Sequence, residues 1–310
     1  MKTLKTTIAI LITTILFTSC VVVEDNYYED EASLEEVLQS NDLWYIDYNQ
    51  TTGSGDVRFL SLAFTLSFEN GKIYANNNLV DIGTVGGGYG DQIGFYSTSG
   101  HTVYIDHDLD GNVDLEVVQV SGTKIRLIDH YRNVTYTLIG YRVNSFDYDQ
   151  IFYDNIEYFL QEYTAWEKTV TTGGVANAFD DENFLAFIPE NVSVFNSSQD
   201  NVGTNVGSLL WDFTGRYEVF NVQGYDNLKI LTLNYDGNDN EEFELTVLDD
   251  GTISLYHNNS DTTYEFGGLG NIIYKKDGTK VSLKDRKRFK VTRKTKTKKE
   301  HITKKSNRTI

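Results

Sequence analysis

The feature that most limits what this chain can fold into is a pattern written twice. The run AFTLSFENGKIYANNNLVDIG over residues 63–83 is echoed by FLAFIPENVSVFNSSQDNVG over 184–203. Likewise SGTKIRLIDHYRNVTYTL over 121–138 is echoed by DDGTISLYHNNSDTTYEF over 249–266. Leu43-Trp44 follows one short helix-like stretch, and Ala165-Trp166 follows another. The landmarks keep their order in both halves, so the body is two copies of one supersecondary plan.

Each copy reads as strands. Leu60, Leu62, Phe64, Leu66 and Phe68 alternate with smaller or polar residues, the period of two that marks a half-buried strand. Ile125 and Leu127 alternate against Lys124 and Arg126, and Val134, Tyr136 and Leu138 against Thr135 and Thr137. Turn residues punctuate these runs at Asn70-Gly71, Asp110-Gly111 and Asp250-Gly251. Short strands at regular spacing predict a sandwich or an up-and-down barrel. Two helices interrupt them. Ser33-Leu34-Glu35-Glu36 has the form of a capping box, predicting a helix to about Ser40. Phe152, Ile156, Phe159, Leu160 and Tyr163 fall at helical spacing and predict a longer helix leading into the second half.

The amino terminus predicts export. Lys2 and Lys5 precede an apolar and threonine-rich run from Thr6 to Phe17, which is too short to span a bilayer and ends in small residues. The string Phe17-Thr18-Ser19-Cys20 resembles a bacterial lipobox, in which the cysteine becomes the lipidated first residue of the mature protein. Acyl chains there would hold the chain on a membrane at about 0.8 kcal/mol per buried methylene. Cys20 is the single cysteine, so the body folds without disulfides. The Asp, Glu and Tyr that follow it read either as a solvated tether or as a surface-export signal.

Charge is split along the chain. Of 27 Lys and Arg, sixteen fall in 275–310, against only three of the 45 Asp and Glu. The body is therefore strongly acidic and disfavours nucleic acid. The basic tail carries few apolar residues and is expected to be disordered by itself. It could serve as an arm for anionic surfaces, fold back on the acidic body, or be an unconstrained extension.

A helix, a tryptophan on the first strand and then a run of hairpins resembles the small lipocalin-like domains of Bacteroidota lipoproteins. As a whole, residues 1–274 resemble a flavobacterial lipoprotein family carried under the label nicotinic acid mononucleotide adenylyltransferase. The likeness lies in the lipobox, in DLWYIDYNQTTGSGDV from Asp42, IDHDLDGNVDLEVVQ from Ile105 and NIEYFLQEYTAWEKT from Asn155. It implies a mostly β chain with two tandem lipocalin-like antiparallel meander or barrel domains, each preceded by a short helix, and it does not cover the tail. The organisation expected is a signal peptide over 1–19, an acidic tether over 20–32, and helix-plus-β domains over 33–145 and 146–274. A disordered basic tail completes the chain over 275–310.

The label implies adenylyl transfer, which needs groups that cradle a triphosphate. Enzymes of that reaction carry a His-x-x-His motif on a doubly wound fold, but no two of His101, His107, His130, His257 and His301 are three apart. The glycine-rich stretch Gly83–Gly90 matches neither nucleotide-binding glycine motif and reads as a hairpin loop. There is no G-x-S-x-G and no H-E-x-x-H, and no cysteine remains as a nucleophile.

One constellation has ligand spacing. Asp106, Asp108, Asp110 and Asp114 sit at positions 1, 3, 5 and 9 of a loop with Gly111 at position 6, the pattern of a calcium site. Position 12 is Val117 where a calcium loop has Glu. The competing reading is a three-residue hairpin loop over Leu109–Gly111 that pairs Ile105 with Leu115. Calcium is thus the one cofactor the residues suggest. The expectation is a cell-envelope protein, lipid-anchored to the outer membrane and facing the periplasm or the cell surface. It would act as a non-catalytic binding or interaction module for an unknown small molecule or surface partner. A structural surface or adhesin component and the labelled enzyme are the alternatives.

Overall fold

The structure, a computed structural model, describes residues 32–189, 191–271 and 288–298. It is mostly β, with two closed eight-stranded antiparallel barrels in tandem, each preceded by a short helix. The first opens with α1 (Leu34–Gln39), whose capping box is formed as the residues predict: the Glu36 amide donates to Ser33 Oγ and the Ser33 amide donates to Glu36 Oε2. Strands β1 (Leu43–Gly53), β2 (Thr65–Glu69), β3 (Lys72–Asn76), β4 (Asp91–Ser99), β5 (Thr102–His107), β6 (Gly111–Ser121), β7 (Lys124–Asp129) and β8 (Val134–Tyr141) follow as a meander, and β8 closes on β1. Asn70 and Gly71, both at positive φ, make the two-residue turn between β2 and β3 that places Glu69 opposite Lys72.

The second barrel runs through β9 (Tyr163–Gly173), β10 (Phe184–Phe187), β11 (Val194–Ser198), β12 (Phe213–Val222), β13 (Tyr225–Tyr235), β14 (Asn240–Asp249), β15 (Thr252–His257) and β16 (Thr262–Asn271). It closes where β16 pairs with β9 and β11 with β12. The duplication is visible in one bond. Trp44 and Trp166 are fully buried, and each indole N–H donates over 2.8 Å to the carbonyl six residues earlier, Leu38 or Leu160, at the end of the preceding helix. This tie anchors each helix to the first strand of its barrel and satisfies a buried donor.

Apolar side chains pack into both interiors. Trp44, Leu66, Ile73, Val103, Leu115, Leu127 and Leu138 have no exposed surface and belong to one apolar cluster in the first barrel. Each such side chain contributes about 1.5–3 kcal/mol by leaving water. The cluster of the second barrel includes Trp166, Phe179, Phe195, Phe243 and Phe266, and continues outward to Ile151, Phe152 and Phe159 and to Phe64 and Leu79 of the first half. The two barrels thus share an apolar seam.

Three expectations change. The alternation at Leu60 and Leu62 does not belong to a strand: Arg58–Leu62 form a short helix, α2, and β2 begins only at Thr65. α2 packs against the first barrel, where Phe59 stacks on His107 at 4.9 Å and the Val57 amide donates to the Tyr136 hydroxyl at 3.0 Å. The single long helix is two short ones, α3 (Tyr148–Asp154) and α4 (Ile156–Leu160), and Tyr163 already starts β9. Asn155, at φ −120° and ψ 33°, breaks them, and its side-chain amide donates to the Ile151 carbonyl.

The third change concerns the tail. Residues 288–298 lie along the body, and β17 (Thr295–Lys296) pairs in parallel with β12. For this segment the expectation of disorder gives way to the reading in which the tail folds back on the acidic body. Ion pairs and backbone bonds, set out below, hold a sequence that has little apolar surface to bury. The remainder of the tail lies outside the described residues.

Candidate binding groove between the barrels

β1 points Tyr45 and Asp47 toward the second half, α3 supplies Asp154, and the hairpin of β12 and β13 supplies Asn221, Asp226 and Lys229. Between them lies an open cavity of about 400 Å³, with the 288–298 segment running along it. Two opposite charges face each other across it. Burial pushes the Asp154 carboxyl up, opposed by a bond from Gln150 and by Lys229. Burial holds the Lys229 ammonium down, and the nearby Arg293 adds to that. Lys229 Nζ donates to Asn221 Oδ1 at 2.9 Å. Burial also pushes the Tyr45 hydroxyl up to about 12. The groove floor is therefore polar, ionic and partly dry.

The docked segment forms part of the groove wall with Arg293 and Thr295 and is held beside it through its cations. Arg293 forks onto Glu157 of α4, with Nε 2.8 Å from Oε1 and Nη2 2.5 Å from Oε2. It also donates to the carbonyls of Tyr153 and Asp154, which end α3. The pair is nearly dry, at 10% and 7% side-chain exposure. Lys296 Nζ sits 2.6 Å from Glu242 and 4.0 Å from the centre of the Phe220 ring. Lys298 reaches Glu244 at 3.1 Å. The amides of Asn221 and Gln223 donate to the carbonyls of Lys294 and Lys296, each at 3.0 Å.

A second polar group lies in the other barrel. Glu182, 5% exposed, accepts from the Tyr235 hydroxyl at 2.8 Å, and burial pushes its carboxyl up. His257 pairs with Glu241 at 2.8 Å, and its other ring nitrogen meets Ser260 Oγ at 2.7 Å. Lys168 donates to the carbonyls of Phe179 and Asp180 beneath the Tyr264 ring. These contacts knit the end of the barrel, with His257 Nε2 held to Glu241 by proximity of charge and not by a formed hydrogen bond.

The calcium loop does not gather its carboxylates. Ile105 faces Val113 and His107 faces Gly111, so the loop is Asp108–Asp110, one residue earlier than the Leu109–Gly111 expected, with the odd length retained. Asp106 lies on the exposed face opposite Asn112, and Asp114 on the same face opposite Tyr104. The turn is closed by His107, whose Nδ1 accepts from the amides of Leu109 and Asp110 at 3.2 and 3.0 Å. Among the described residues no three His, Cys, Asp or Glu converge as a metal site would require. In the glycine-rich stretch, Val85–Gly88 form a short 3-10 turn against which the Tyr148 hydroxyl donates to the Gly88 carbonyl. That turn is a packing contact. Cys20 lies outside the described residues.

Glu157 and its partner Arg293 escaped the sequence reading. The signal was present: an acid inside the apolar stripe of Phe152, Ile156, Phe159 and Leu160 needs a cation if it is buried, and the chain keeps most of its cations in the tail. Neither protein-family models nor curated protein sequences yield a match to this chain.

Proposed function

We propose that the chain is a lipid-anchored protein of the cell envelope that works as a non-catalytic binding or interaction module, with the groove between the barrels as its binding surface. The observation that carries this reading is the open polar cavity of about 400 Å³ at the seam, beside barrel interiors lined with buried apolar side chains. Ligand pockets are concave, form at junctions between units, and place a few polar groups on an apolar frame. A lipid on Cys20 would hold this groove at an outer-membrane surface, facing the periplasm or the exterior. The acidic body favours cationic over anionic partners there.

The experiment is metabolic labelling with a fatty acid, followed by membrane fractionation. Wild-type protein is labelled and membrane-bound, whereas Cys20→Ser loses the label and appears in the soluble fraction. Label retained by Cys20→Ser would overturn the anchor. A soluble wild-type chain without label would overturn it equally.

A further inference from the structure

We propose that the acidic and aromatic surface bordering the groove recognises an extended basic peptide, and that the chain's own residues 288–298 lie on that surface as an internal copy of that ligand, forming one wall of the groove with Arg293 and Thr295. The inference rests on reading the groove as the binding surface and names the class of partner it takes. Four basic side chains are read at fixed spacing. Arg288, fully buried, places its guanidinium 4.5 Å from the centre of the Phe64 ring and 5.1 Å from that of Tyr48. Arg293 forks onto Glu157, Lys296 meets Glu242, and Lys298 meets Glu244. The backbone adds a parallel pair to β12 at Asn221 and Val222, where β12 runs past its partner β11. Main-chain pairing for affinity with side-chain pockets for specificity is the mode by which sheet edges take peptides.

Two observations indicate a ligand that can leave. The first is the match at Arg288. Its Nη1 donates to the Ile46 carbonyl at 3.1 Å, but Nε and Nη2 are buried without a hydrogen-bond partner. The aromatic site accepts a flat cation, yet Arg288 does not satisfy its own donors there. The second is what the segment buries. Of residues 288–298 only Arg288 is buried, while the others are partly or fully exposed. Ionic contacts, the stacked Arg288 and a two-residue strand hold it in place, and its apolar Phe289 and Val291 are only partly buried. Sixteen residues separate Asn271 from Arg288, so the segment competes as a tethered ligand at an effective concentration on the order of millimolar.

The probe is a fluorescent peptide with the sequence of Arg288–Lys298, titrated into full-length chains and followed by anisotropy. Weakening the tethered copy through Arg288→Ala should raise affinity for the added peptide at least tenfold over wild type. A scrambled peptide of the same composition should bind at least tenfold more weakly than the ordered one. Equal affinity of wild type and Arg288→Ala would overturn the proposal, because no internal competitor would then exist. Equal binding of the scrambled peptide would also overturn it, reducing the effect to attraction by an acidic body. If circular dichroism shows Arg288→Ala unfolded, Arg288→Lys serves instead, since it keeps the charge but loses the planar stack. These outcomes are independent of the fatty-acid label that tests anchoring.

Discussion

Arg293→Ala isolates the strongest contact between the tail and the body. In the folded chain the guanidinium makes a bidentate pair with Glu157 and donates to two carbonyls at the end of α3. Both side chains are nearly excluded from water. Truncation leaves the Glu157 carboxylate in a dry site without its cation, a change that costs about 3–5 kcal/mol in comparable pairs. In a body of this size each kcal/mol lowers the melting temperature by about 2–4 °C, so a fall of about 6–20 °C is expected. The assay is thermal unfolding followed by circular dichroism, with Glu157→Gln and the double variant alongside. Glu157→Gln should cost less, because it removes the charge that needs pairing. The double variant should regain much of the loss, since no unpaired carboxylate remains. Added salt should not reproduce the loss, because a buried pair is poorly screened. If Arg293→Ala melts within about 2 °C of wild type, the segment is not docked in solution, and composition alone was the better guide.

Trp44→Phe and Trp166→Phe each remove an indole donor from a buried carbonyl, at a cost of about 1–3 kcal/mol. Urea midpoints should fall for both, and an effect confined to one half would deny that the barrels use the tie alike. Burial raises the Glu182 carboxyl above its ordinary value of 4.5, so the folded chain holds that proton more tightly than the unfolded one. This contribution to stability falls as pH rises from the ordinary value through the raised one. Glu182→Gln should flatten that slope, and an unchanged pH profile of urea midpoints would refute the assignment. Calcium should raise the melting temperature no more than sodium at matched ionic strength, because His107 closes the turn and Asp106 and Asp114 lie on the exposed strand face. A calcium-specific gain abolished by Asp110→Ala would restore the loop as a metal site.

Much of the architecture was legible because its causes are local. Alternation at Ile125 and Leu127 and at Val134, Tyr136 and Leu138 depends only on neighbouring residues and the period of a strand, and these side chains do face the core. The Ser33–Glu36 box and the Asn70-Gly71 turn are closed within four residues, so their chemistry is complete in the string itself. Repetition of the string set the number of barrels. The same local rules failed where tertiary packing chose between compatible patterns. Leu60 and Leu62 fit a strand equally well, but packing of Phe59 on His107 takes them into α2. The candidate groove was hardly legible at all. Its central pair joins residues 136 positions apart, and the Arg288 bond to Ile46 spans 242. A basic tail and an acid set among apolar residues can each be read from a line of letters. That one satisfies the other is decided only when the folded barrels bring Glu157 to the seam, where an unpaired carboxylate would be too costly to bury.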